Sequence, residues 1–181
     1  MQMQILTRPF IALVLSGLFP FSSLSAEVLS GVDHRYAQKD VDEIPDFQRH
    51  VIPLLGRLGC SGRACHGSFQ GRGGFQLSLF GYDFAADHDA ISDEKNGRVD
   101  LDDPDESLII AKPTNEDEHE GGERYALGSW EYHLLRKWIA GGALYDQKKR
   151  DALSHLEVIP AEIIFQTETD QQELQVVAHW E

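Results

Sequence analysis

Sulfur is scarce in this chain of 181 residues, which contains two cysteines and two methionines. A structural zinc site usually takes four donors in two close pairs, whereas this chain has one cysteine pair with no nearby pair of histidines. Both methionines, Met1 and Met3, precede an apolar N-terminal run and are expected to be removed with it. The mature chain is therefore not expected to supply a methionine ligand to any metal.

Long hydrophobic runs are missing as well, apart from residues 10–21. That run is too short to cross a bilayer, and it lies between the single charge of Arg8 and a group of small residues, as in a secretory signal peptide. We expect a signal peptide over residues 1–26, with cleavage after Ala26 or after Ser25, and a periplasmic or extracellular location for the rest. An uncleaved N-terminal anchor is the alternative. No later stretch predicts a membrane span.

Basic residues are few, since 16 Lys and Arg stand against 30 Asp and Glu and give a net charge of −14 at pH 7. Such an acidic surface argues against nucleic acid and anionic lipid as partners, and is compatible with a basic docking partner. No Ser-His-Asp pattern, phosphate-binding loop or metal-hydrolase motif occurs in the sequence. We therefore do not expect the chain by itself to be an enzyme.

The first predicted helix follows a polar leader arm, residues 27–45. Asp46 is a natural N-cap, and Gly59 is expected to end the helix. Pro53 lacks a backbone N–H and is expected to kink or break it. One apolar stripe indicates a buried face, formed by Phe47, Val51, Leu54, Leu55 and Leu58.

The second strong helix begins after Ser129 as N-cap and ends at Gly141. Between the two helices, alternation predicts a short extended piece over residues 75–80, a short helix over 84–91, and a helical turn after Ser107. Helices of this kind, joined by irregular segments, predict a mainly α fold.

The C-terminal segment, residues 147–181, has the sequence pattern of strands, whereas the part before it is predicted to be helical. It predicts a linker followed by two strands, over residues 156–161 and 173–180. Two strands do not form a stable sheet alone, so we expect the chain to be a fragment of a longer protein with a mobile tail. Limited proteolysis is expected to cut at residues 148–150.

The two cysteines lie in one loop, where His66 directly follows Cys65. This arrangement is typical of a c-type haem attachment site, in which each thiol adds to a porphyrin vinyl group and the histidine binds the iron. A plain Cys60–Cys65 disulfide, which is common in exported proteins, is the alternative.

Four residues separate the cysteines, whereas the usual haem motif has two. We expect Ser61 and Gly62 to loop outward without moving either sulfur. Gly67, after the histidine, is expected to leave room for a large planar group close to the backbone.

Further residues carry a family resemblance in six groups: Phe47…Val51-Ile52-Pro53-Leu54-Leu55; Gly59-Cys60-x4-Cys65-His66-Gly67; Gly73-Gly74-Phe75-x-Leu77-Ser78-Leu79-Phe80-Gly81-Tyr82-Asp83; Asp103-Pro104-x-x-Ser107-Leu108; His119-x-Gly121-Gly122; and Ser129-x-Glu131-Tyr132-x-x-Leu135-x-x-Trp138-Ile139-x-x-Gly142-Ala143. Together they resemble the planctomycete-type cytochrome c-like domain of large exported multidomain proteins, in which the four-residue spacer also occurs. The resemblance covers residues 46–146. Residues 156–180 resemble the opening of a bacterial Ig-like group 2 domain.

This resemblance implies a cytochrome c-like helical domain around haem, followed by an incomplete β segment. It implies crossing first and last helices, with Phe47 near Trp138. It also implies covalent haem c with its iron, attached through Cys60 and Cys65, with His66 as the proximal ligand. The expected function is electron transfer with an unknown redox protein partner. A non-haem adhesion or wall protein with a disulfide, and a haem-based sensor, are the alternatives.

The distal side of the haem has one candidate ligand, since methionine is not expected in the mature chain. His119 lies in a loop with Gly121 and Gly122 and matches a position of the family motif, so we expect it to be the distal iron ligand. A water-bound or empty sixth position is the alternative. Candidate partners for the haem propionates are Arg63, Arg72 and Arg124.

Overall fold

The computed structural model describes residues 29–93, 95, 98–147 and 152–180. The predicted signal peptide and the predicted proteolysis site at residues 148–150 lie outside the described residues. The described chain is mostly helical and ends in an antiparallel two-stranded hairpin, as the sequence predicts at this level. Among the described residues, every helix is too short or too polar to cross a bilayer.

Five helices and two strands make up the regular structure. In chain order they are α1 (Val32–Arg35), α2 (Ile52–Arg57), α3 (Phe84–Ser92), α4 (Leu108–Ala111), α5 (Trp130–Ala140), β1 (Leu153–Ile159) and β2 (Gln175–Trp180). A π-helical turn, Phe47–Val51, continues directly into α2, and short 3-10 turns lie at Leu79–Gly81 and Pro104–Glu106.

The first predicted helix is divided in two. Asp46 caps its start as expected, because its carboxylate accepts the backbone N–H of Arg49 at 2.8 Å. Pro53 lies in the first turn of α2, where a missing N–H costs least, and the π-helical turn precedes it. Gly59 ends the helix with a φ of +79°, a backbone conformation that favours glycine.

Helix α5 forms the centre of the core. Ser129 caps it by accepting the N–H of Tyr132, as predicted. The apolar face is fully buried and packs on the π-helical turn, where the rings of Phe47 and Trp138 lie 5.4 Å apart between centroids. This confirms the expected contact between the first and last helices. The buried residues of α5 are Leu134, Leu135, Trp138 and Ile139.

The extended piece predicted over residues 75–80 is only partly confirmed: Ser78 has an extended backbone, whereas Leu79–Gly81 form a 3-10 turn. The segment bonds to the cysteine loop: Leu77 N–H donates to the carbonyl of His66 at 2.8 Å, and Phe80 N–H donates to that of Ser61 at 3.0 Å. Within the described residues it belongs to neither strand of the sheet, and it lies along the cysteine loop instead.

Part of the predicted leader arm belongs to the packed core. Tyr36 is 0% exposed, and its carbonyl oxygen lies 3.2 Å from Nδ1 of His133 on α5. Arg35 and Glu43 form an ion pair across the same arm. The core therefore includes residues that precede position 46, although the sequence pattern there is polar.

The two predicted strands are confirmed with shifted bounds, and they pair antiparallel with Leu156 opposite Ala178. In the described structure both strands are largely exposed. The guanidinium of Arg49 lies 5.1 Å from the ring centroid of Trp180 and links the hairpin to the helical part.

Candidate functional site

The four predicted site residues meet in one cavity of about 310 Å³. Cys60, Cys65 and His66 line one side of it, and His119 reaches it from a loop more than 50 residues later in the chain. The size lies at the lower end of the range of small-molecule sites, about 300–1,000 Å³. The rest of the wall is mainly apolar, and includes Leu55, Leu58, Phe75, Leu108, Ile109, Tyr125 and Leu135.

Backbone hydrogen bonds close the cysteine loop on itself at the end of α2. Cys60 N–H donates to the carbonyl of Leu55 at 2.9 Å, which continues the helix end into the loop. His66 N–H then donates to the carbonyl of Cys60 at 2.9 Å, so the chain returns to its starting point before the histidine. The four-residue spacer therefore brings the cysteines and the histidine to one wall.

The four residues between the cysteines are not oriented as the sequence predicts. Ser61 is only 3% exposed, and its carbonyl accepts the N–H of Phe80, so it points inward. The exposed residues are Arg63 and Ala64. The outward loop is thus formed by the second half of the spacer, because the first half is held by the covering segment.

Gly67 packs closely against the backbone of its own loop. A Cβ atom at this position would lie 2.0 Å from the carbonyl oxygen of Ser61. The glycine is therefore required for packing of the loop against its own backbone. It is not among the residues that line the cavity, and its expected role in making room for a planar group stays a prediction.

His66 is held in the tautomer that binds metals. Its Nδ1 lies 3.0 Å from the carbonyl oxygen of Phe75 and donates to it, so that Nε2 carries the free lone pair in the neutral ring. Burial lowers the pKa of His66 below the ordinary value of 6.5, and the bond to Phe75 opposes this in part. The neutral form is therefore favoured at neutral pH.

His119, which also lines the cavity, has the same arrangement of its ring nitrogens. Its Nδ1 lies 2.8 Å from the carbonyl oxygen of Gly122, which again leaves Nε2 as the free acceptor. Gly121 gives the ring its space, because a Cβ there would lie 2.8 Å from the ring carbon Cε1. The His66 and His119 ring centroids lie 6.4 Å apart, with 18° between the ring planes.

Other described histidines are engaged elsewhere. Nε2 of His88 lies 2.8 Å from the carbonyl oxygen of Ala143, and the His88 ring packs against Phe47. This histidine therefore belongs to the core. His50 accepts the N–H of Asp46 through Nδ1 at 2.8 Å. Among the described residues, His66 and His119 are the histidines that line the cavity.

Both cysteines are free thiols in the structure. Burial raises the pKa of Cys60 to about 11, although the charge of Arg124 opposes the increase. Nη2 of Arg124 lies 3.8 Å from Sγ of Cys65. Within the described residues there is no group of three or more His, Cys, Asp or Glu side chains arranged to hold a metal ion.

Among the described residues, four basic side chains and two acidic ones, Glu118 and Glu120, line the cavity, although the protein as a whole is acidic. Of the three predicted arginines, Arg72 and Arg124 line it and Arg63 does not. Arg98 and Lys112 also line it and were not predicted. Arg98 lies in an irregular segment without periodicity, so the sequence offers no signal that could have found it.

Comparison of the chain with models of known protein families, with curated proteins and with solved structures gave no match. The site is therefore interpreted from its own geometry and chemistry. Two thiols on one wall, two imidazole nitrogens with free lone pairs, apolar surfaces and a set of cations form a donor set that fits covalent haem.

Proposed function

We propose that the protein is an exported c-type cytochrome module that binds one covalent haem c and transfers single electrons. The observation that carries this proposal is the near-parallel pair of His66 and His119, 6.4 Å apart, in the cavity that both cysteines line. In this proposal Cys60 and Cys65 hold the haem through thioether bonds. His66 is the proximal iron ligand and His119 the distal one.

The hydrogen bonds that Nδ1 of each histidine makes support this assignment. Metal-binding histidines commonly donate their other ring N–H to a carbonyl or carboxylate, which fixes the ring orientation and raises the basicity of the ligating nitrogen. His66 does so to Phe75, and His119 does so to Gly122. The same pattern at both histidines is compatible with both of them holding the iron of a bound haem.

The remaining residues would position the group and exclude water. Haem would supply exchange of one electron between ferrous and ferric iron. The apolar part of the wall would exclude water from a bound haem and would thereby influence its reduction potential. His66 and His119 would together hold the iron, which would favour electron transfer over catalysis.

The two alternatives have less support from the geometry. A sensor needs an open sixth position, whereas His119 lies close to His66 and is fixed by two neighbouring glycines. An adhesion protein with a Cys60–Cys65 disulfide would not account for the near-parallel rings of His66 and His119 in the same cavity. The redox partner is a protein outside this chain, and export remains part of the proposal.

Intact mass spectrometry tests the proposal. The chain is co-expressed with a haem-attachment system, and the wild type is expected to gain the mass of one haem. A Cys60→Ala/Cys65→Ala variant is the matched control and should gain none. A wild-type mass that lacks haem under conditions in which a known c-type cytochrome is loaded would contradict the proposal.

A further inference from the structure

Arg98 occupies an unusual position for an arginine. Its guanidinium carbon lies 4.7 Å from the ring centroid of Phe75, whose carbonyl holds His66. Its Nε is buried and has no hydrogen-bond partner. The backbone is fixed as well, because the carbonyl of Arg98 accepts the N–H of Ile109 at 3.1 Å. A buried donor without a partner is destabilising, so its presence calls for a ligand.

Acidic side chains line the cavities around Arg98, but among the described residues none of them bonds to its guanidinium. Glu118 and Glu120 line the same cavity as Arg98. Asp83 and Asp87 line a neighbouring cavity together with Arg98. Both oxygens of Asp87 accept hydrogen bonds from Ser78, and Asp83 accepts the N–H of Ala86. Within the described residues the guanidinium of Arg98 makes no hydrogen bond or ion pair, although its charge is close enough to lower the pKa of His66.

Arg124 has a different environment, next to Sγ of Cys65. Arg124 is thereby engaged with a thiol, whereas the buried Nε of Arg98 has no partner among the described residues. Arginine also presents a rigid fork of donors that matches a carboxylate.

We infer that Arg98 is the residue that binds a carboxylate of the ligand, so that the cavity selects an anionic porphyrin over a neutral one. This inference rests on the proposed haem function and adds the chemical class of group that the cavity recognises. Hydrogen bonds to a charged group contribute about 1.5–3 kcal/mol, which corresponds to a change in affinity of at least about tenfold.

Reversible binding of two probes tests the inference. The chain from residue 27, with Cys60→Ala and Cys65→Ala to prevent attachment, is titrated with haemin and with haemin dimethyl ester, which lacks both carboxylate charges. The background protein should bind haemin at least about tenfold more tightly than the ester. Arg98→Gln should remove that preference by weakening haemin binding alone. Arg98→Lys should recover part of it, because lysine keeps the charge without the fork.

Arg63→Gln is the matched control, because it removes the same charge from an exposed position that does not line the cavity. It should keep the full preference. Equal affinity of the background protein for both probes, or an unchanged preference in Arg98→Gln, would overturn the inference and leave the haem proposal standing. Failure of the background protein to bind either probe would count against the haem site itself, and the inference would fall with it. Circular dichroism verifies that each variant has the same helix content.

Discussion

His119 is held at two points, by the bond from Nδ1 to Gly122 and by the space that Gly121 leaves for its ring. Replacing it by alanine removes the imidazole without placing a new group in the cavity. We predict that His119→Ala converts a low-spin haem spectrum into a high-spin one, because the iron loses its sixth ligand. The absorption spectrum of the ferric protein measures this change.

His88→Ala is the control for that variant. His88 packs in the core and bonds to Ala143, so its loss should lower stability by about 1–3 kcal/mol while the low-spin spectrum persists. A low-spin spectrum in His119→Ala that matches the wild type would remove His119 from the iron site.

The pH dependence of stability has a contribution from His50. Burial lowers the pKa of His50 below 6.5, and its Nδ1 already accepts the N–H of Asp46. The unfolded chain therefore binds a proton more readily, and the free energy of unfolding decreases as the pH falls below about 6.5. Denaturant unfolding at pH 7.5 and 5.5 should show a larger decrease in the wild type than in His50→Gln. An equal decrease in both proteins would show that His50 does not contribute.

At the scale of single residues, some features of the site could be predicted from the sequence and others could not. The cysteines and His66 could be predicted because their chemistry and spacing are local features, whereas His119 was predicted from the family motif and the lack of a methionine in the mature chain. The inward orientation of Ser61 and the position of Arg98 could not be predicted. They depend on Phe80 and Ile109, which reach those backbones from distant parts of the chain.

At the scale of structural elements, the conformation of the cysteine loop depends on one glycine, Gly67. A Cβ at Gly67 would lie 2.0 Å from the carbonyl of Ser61, so the backbone must shift to accept it. We predict that Gly67→Ala lowers the free energy of unfolding by about 1–3 kcal/mol and reduces haem attachment. Thermal unfolding and the haem-to-protein ratio measure the two effects.

Gly56→Ala is the matched control for that element. Gly56 lies in α2, and a Cβ there would meet its nearest atom, Oγ of Ser61, at an ordinary 3.9 Å. This variant should keep or raise stability, by up to about 1 kcal/mol, because alanine is the better helix former. Equal behaviour of the two alanine variants would show that the contact at Gly67 is not limiting.

Helices could be predicted from the sequence where capping residues at their own ends mark them. Ser129 and Gly141 bound α5 with caps that the sequence displays, and Asp46 does the same for the first helix. Residues 75–80 have an equally clear strand pattern, yet within the described residues they belong to neither strand of the sheet. Strand formation needs a partner chain segment, and the sequence pattern of one segment does not reveal whether a partner exists.

At the scale of the whole molecule, the cavity is lined by segments between Leu55 and Leu135. The π-helical turn contacts α5 through Phe47 and Trp138. The contact of Phe47 with Trp138 could be expected from the family resemblance. The burial of Tyr36 could not, because the arm around it is polar and has no sustained period.

The measurement that tests the central claim most directly is acid–acetone extraction of the purified chain after co-expression with a haem-attachment system. The account predicts that the Soret band stays with the protein, since Cys60 and Cys65 hold the haem covalently. Recovery of all haem in the acetone phase, or of an intact Cys60–Cys65 disulfide in the protein, would contradict it.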